Sequence, residues 1–109
     1  MNPAASQPVE RRTWPRRRQR LRVLLLDQHE DVQEPLAAWV LDRSGGGLRL
    51  AVDREIEPGT TLAVKPTSAP ARSPWVDVEV RRCRRAADGF ELGCRFVGTP
   101  ALMSLLLFG

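Results

Sequence analysis

The sequence predicts a small all-β domain: a six-stranded antiparallel barrel with a short C-terminal helix, preceded by a flexible basic arm. Three observations predict it. Apolar residues recur at every second position in short runs bounded by Gly, Pro, Asp and Ser, which is the period of strands with one buried face. No helical period is sustained until the last ten residues. At 109 residues the chain has material for one hydrophobic core, because a second would leave each half too little apolar surface to bury.

Residues 1–10 mix Asn, Pro, Ala, Ser and Gln without periodicity and read as a disordered tail. Residues 11–20 are polar apart from Trp14 and Pro15, so they carry no core-facing stripe and read as an arm. The barrel with its helix is expected over 21–109. Arg20–Asp27 gives the first strand, and Leu36–Asp42, just after Pro35, the second. The run Ser44 to Gly47 forces a tight connection into the third, where Leu48, Leu50 and Val52 share a face. Pro58 and Gly59 mark a turn into the fourth, Thr61–Lys65. Residues 66–74, with three prolines and no alternation, form a surface loop.

Val76, Val78 and Val80 alternate with Asp77, Glu79 and Arg81, and Phe90, Leu92, Cys94 and Phe96 alternate with Glu91, Gly93 and Arg95, giving the last two strands. Parity constrains their turn. A two-residue Asp88-Gly89 loop would pair odd with even positions and set valines and phenylalanines on opposite faces. A three-residue loop, Ala87 to Gly89 with Gly89 left-handed, pairs Val80 with Phe96 and Cys83 with Gly93, so no cross-strand disulfide is expected. Thr99-Pro100 has the form of an N-cap and first turn, and Leu102, Leu105 and Leu106 recur at helical spacing. Strands joined by short turns with one small helix point to a closed or nearly closed barrel.

Hydrophobic residues at 42% and charged residues at 28% exclude wholesale disorder. No apolar run approaches the roughly 20 residues needed to cross a bilayer. The start of the chain lacks the apolar core of a secretory signal, so the expected location is cytoplasmic. One histidine, His29, and two cysteines fall short of the four ligands of a structural zinc site, so neither metal nor cofactor is expected. Neither Cys83 nor Cys94 has a histidine nearby in sequence to activate it, and no carboxylate pair is singled out for acid–base work. The sequence therefore presents no catalytic constellation and reads as a non-enzyme. Trp39 reads as core or helix-packing surface, and His29 as a solvated loop residue.

Charge is unevenly placed. Residues 1–26 hold seven arginines against one acid, Glu10, for a net +6, whereas residues 27–109 have a net −2. Of the 17 basic residues only Lys65 is lysine. The arginine fork suits bidentate pairing with phosphate or a guanine edge better than an ammonium does, so the partner is expected to be anionic.

Two clusters stand out. Glu10-Arg11-Arg12-Thr13-Trp14-Pro15-Arg16 has the form RRxxxR, and Asp42-Arg43-Ser44-Gly45-Gly46-Gly47 the form DxSxxG. In this order, about 30 residues apart on an all-β chain, they resemble the PilZ domain, the receptor module for cyclic di-GMP. Gly47-Leu48-Arg49-Leu50, the Pro58-Gly59 turn, the Val76 to Arg82 strand and Leu92 to Val97 also look like segments of that family, so the likeness spans roughly residues 10–98. The resemblance implies a six-stranded antiparallel barrel followed by a helix, in agreement with the strands counted from the pattern.

The resemblance assigns Arg11, Arg12 and Arg16 to the arginine motif, and Asp42, Ser44 and Gly47 to the second motif, with Gly46 assisting. Arg16/Arg20 and Arg18/Arg22 also satisfy RxxxR, but Glu10-Arg11-Arg12 with Pro15-Arg16 resembles the family most closely. The chemistry fits the ligand. Two phosphates and the N7 and O6 acceptors of two guanines match guanidinium forks, while Asp42 accepts from guanine N1 and N2, Ser44 offers a hydroxyl and the glycines admit close backbone approach. Trp14 either stacks on a base or anchors the arm.

The expected function is thus a cyclic di-GMP sensor that couples binding to ordering of its arm and to regulation of an unidentified protein partner, without membrane insertion. The surplus of arginines would tolerate a stacked ligand dimer with four phosphates. Two other readings remain: a PilZ-like adaptor that works by protein contact alone, and a barrel that binds nucleic acid through its basic arm. A purely structural role for Asp42 and Ser44, capping a tight turn by side chain to backbone bonds, is the bland reading of the second motif.

Overall fold

The computed structural model describes residues 21–28 and 34–108. Six strands form a closed antiparallel barrel in the order β1-β2-β3-β6-β5-β4. They are β1 (Leu21–Asp27), β2 (Leu36–Arg43), β3 (Gly47–Val52), β4 (Thr61–Pro66), β5 (Val76–Ala86) and β6 (Gly89–Phe96), followed by α1 (Leu102–Leu106). The strand ends fall within two residues of those read from alternation, except that β5 runs on to Ala86. No helix among the described residues is long and apolar enough to cross a membrane.

Period-2 patterning places the core. Val23 and Leu25, Ala38 and Val40, Leu48 and Leu50, Leu62 and Val64, Val78 and Val80, and Leu92 and Cys94 all point into the barrel and are buried. Each Leu or Val withdrawn from water in this way stabilises the fold by about 1.5–3 kcal/mol. Phe108 is buried in the same cluster and Leu105 packs against it, so the segment after β6 contributes to the core.

Two β-bulges break the alternation, and both matter for the outer wall. On β2 the pairing runs Trp39 with Ala51 and Val40 with Leu50, then resumes as Asp42 with Arg49, leaving Leu41 as the extra residue. On β5 Val78 pairs with Phe96 and Val80 with Cys94, then Arg82 pairs with Gly93, leaving Arg81 as the extra residue. Each insertion inverts the inside–outside phase of the residues beyond it.

The second bulge corrects the hairpin expected from parity. Ala86 pairs with Gly89, so the turn is the two residues Ala87-Asp88, not three. Val80 lies opposite Cys94 rather than Phe96, and Cys83 opposite Leu92 rather than Gly93. One residue is indeed absorbed to bring valines and phenylalanines onto one face, but the chain absorbs it at Arg81, within the strand. Gly89 does take a positive φ, 148°. A Cβ there would collide with the Val52 carbonyl oxygen, so no larger residue suits the site. Cys83 and Cys94 are free thiols.

Two further differences concern the tail helix and Trp39. The N-cap of α1 is Ala101, without a side-chain cap bond, so Thr99-Pro100 precedes the helix rather than starting it. Trp39 is not in the core: it shares the outward phase of Ala37, is 41% exposed and has the Arg22 guanidinium 5.3 Å from its ring centroid. That spacing is a cation–π contact.

Candidate functional site

The connection from β2 to β3 is a stiff lip at one end of the barrel. The Ser44 N–H donates to the Gly47 carbonyl at 3.0 Å, and the Phe96 N–H donates to the Gly46 carbonyl at 2.9 Å, tying the lip to β6. Asp42, Ser44 and Gly46 are exposed, whereas Gly47 is buried. Gly47 must be glycine for packing, because a Cβ there would overlap the Cys94 backbone. Around Gly46 there is open space.

Backbone bonds hold this turn. Among the described residues, neither the Asp42 carboxylate nor the Ser44 hydroxyl has a hydrogen-bond or ion-pair partner, so neither side chain caps the turn. The bulge at Leu41 explains why Asp42 is accessible. In unbroken alternation it would follow Leu36, Ala38 and Val40 into the core, where an unpaired carboxylate would be costly. The extra residue turns it outward beside Arg49.

Arg11, Arg12 and Arg16 lie outside the described residues, as do Trp14 and His29. Connectivity still locates where their segment joins. Leu21, the first residue of β1, pairs with Val40, two positions before Asp42 on the neighbouring strand. From Arg16 to Leu21 the chain can span at most about 18 Å. The chain thus enters β1 at Leu21, beside the strand that leads into the lip.

On the outer wall Asp42 begins a transverse row. It pairs with Arg49, Arg49 with Gly93, and Gly93 with Arg82. Arg49 is 3.7 Å from Glu91, which Arg84 holds more closely at 3.0 Å. Arg82 is exposed and has no partner among the described residues. Sequence reading overlooked this row because Arg49, Gly93 and Arg82 lie on three different strands and fall in no motif. A Gly inside a strand and an Arg in what would be an inward position were the available signals. Nearer the opposite end, a shallow groove of about 460 Å³ is lined by Trp39, Leu41, Ala51 and Phe90 among others.

Burial pushes the Cys94 thiol up to about 12, with the neighbouring Cys83 adding to the shift, so it stays protonated near neutral pH. Among the described residues no cluster of His, Cys, Asp and Glu has the makings of a metal site.

No curated protein and no solved structure matches the chain. A family model does. It matches residues 10–107, nearly the whole chain and including both motifs, and its description is PilZ domain. The closed six-stranded barrel with its exposed DxSxxG lip, taken with that match, places the chain in the PilZ domain family, a family of cyclic di-GMP-binding modules.

Proposed function

We propose that this protein is a non-enzymatic receptor for cyclic di-GMP. Arg11, Arg12 and Arg16 grip phosphates and guanine N7/O6 edges, Asp42 accepts from guanine N1 and N2, Ser44 supplies a hydroxyl, and the Gly46-Gly47 backbone lets the ligand approach. The observation that carries this reading is the outward, unpartnered Asp42 carboxylate next to the place where the arginine-bearing segment joins the barrel.

Binding from two sides favours the docked form of residues 11–20, since a ligand shifts an equilibrium only by its differential affinity for the two states. A partner protein then senses the docked arm. The surplus of arginines also accommodates a stacked ligand dimer.

Calorimetric titration with cyclic di-GMP, with GTP and GMP as controls, tests the proposal. Saturation at one or two ligands per chain supports it, and the ratio reports the stacked dimer. Absence of heat at micromolar ligand overturns it in favour of an adaptor that acts by protein contact. Steeply salt-dependent binding to mixed-sequence RNA or DNA without preference for the cyclic dinucleotide also overturns it, in favour of a nucleic-acid-binding barrel.

A further inference from the structure

The two bulges act on the same row. Asp42 and Arg82 both carry even numbers on strands whose even-numbered residues otherwise face the core: Ala38 and Val40 on β2, Val78 and Val80 on β5. Insertion of Leu41 turns Asp42 outward, and insertion of Arg81 turns Arg82 outward. The two residues end up at opposite ends of one line across four adjacent strands, with Arg49 and Gly93 between them. Bulges interrupt ladder hydrogen bonds and are found where a side chain is re-aimed. Here two of them aim an acid and a base onto one strip of wall.

The strip has the polarity of a guanylate ligand. With strands about 4.8 Å apart, Asp42 and Arg82 are separated by about 14 Å along the wall. The middle is low. Gly93 carries no side chain, and Arg82 leans over it, its Cβ and Nε 3.6 and 3.8 Å from where a Gly93 Cβ would lie. Arg82 has no acidic partner among the described residues, whereas its neighbours Arg81 and Arg84 pair with Glu79 and Glu91. Its five N–H donors are therefore free for an incoming anion or guanine edge.

We infer that the nucleotide site extends past the lip along this row: Arg82, assisted by Arg49, binds the half of cyclic di-GMP remote from Asp42, and the bare Gly93 backbone is the floor beneath it. The inference rests on the cyclic di-GMP reading and adds residues that neither motif contains.

Titration of full-length variants with cyclic di-GMP tests it. Arg82→Ala is expected to weaken binding about ten- to hundredfold, the scale of a lost charge-assisted contact, and Arg82→Lys to restore part of the loss. Gly93→Val raises the floor and is expected to weaken binding with its thermal midpoint unchanged, while Arg54→Ala, away from the row, binds as the wild type does. If Arg82→Ala and a folded Gly93→Val both bind like the wild type while Asp42→Ala does not bind, the inference is overturned and the receptor reading stands. If the wild type itself fails to bind, both fall together.

Discussion

Gly47 and Cys94 approach so closely where β3 runs beside β6 that a Cβ on residue 47 would overlap the Cys94 carbonyl oxygen. The last glycine of the DxSxxG motif is thus a packing requirement whatever its part in binding. Gly47→Ala is expected to destabilise the fold by about 1–3 kcal/mol, the cost of overpacking against backbone. Gly46→Ala, which meets open space, is expected to change stability by less than about 0.5 kcal/mol. Urea unfolding of the two variants separates them, and equal stabilities would contradict the close approach.

Asp42 offers the opposite case, an exposed side chain with no partner to lose. Asp42→Ala is expected to abolish cyclic di-GMP binding and leave the thermal midpoint within about 2 °C of the wild type, since exposed substitutions away from special features cost little. Scanning fluorimetry and calorimetry on the same preparation check both halves. A large drop in midpoint would mean that the carboxylate has a structural role.

Removing residues 1–20 probes the arm. Every buried core residue described lies between Val23 and Phe108, so the shortened chain is expected to unfold cooperatively with a midpoint close to that of the full chain. It is expected not to bind cyclic di-GMP, because Arg11, Arg12 and Arg16 are gone. Retained affinity would place the whole site on the barrel and end the assigned role of those arginines.

The Cys94 thiol gives a pH prediction. Its value in the fold is raised from 9.0 to about 12, first by burial and then by Cys83. A raised value means that the fold favours the protonated thiol. This contribution is complete below pH 9 and is lost as the pH climbs from there toward 12, where the unfolded chain gains by ionising first. Stability should therefore fall by up to a few kcal/mol across that window, and Cys94→Ser or Cys94→Ala should flatten the fall. At pH 8 an alkylating reagent is expected to spare Cys94 in the native protein and label it once the chain is unfolded.

Much of the barrel was legible in the sequence because alternation is a direct image of a one-sided buried strand. Val76, Val78 and Val80, and Leu48, Leu50 and Val52, needed no tertiary information. The bulges were not read because parity says only that a residue must be absorbed between two strands, not where. A clue was present all the same. Continued alternation would have buried Asp42 after Val40 and Arg82 after Val80, and a charge in an inward phase is a reason to place the extra residue just before it. The Asp42 and Ser44 lip was legible through its motif. The row from Arg49 through Gly93 to Arg82 was not, because it is assembled by register across strands distant in the chain. The helix start failed for another reason: Thr99-Pro100 has the residue types of a helix entry, but the first helical turn begins only after Ala101.

The ring of six strands has one more consequence. Among the described residues each strand has two neighbours, so the paired stretches leave a foreign segment no main-chain edge, although β5 beyond Val80 pairs with β6 alone. A partner therefore cannot add a strand along those paired stretches. Recognition there runs through side chains, which makes it open to single substitutions that leave the barrel whole.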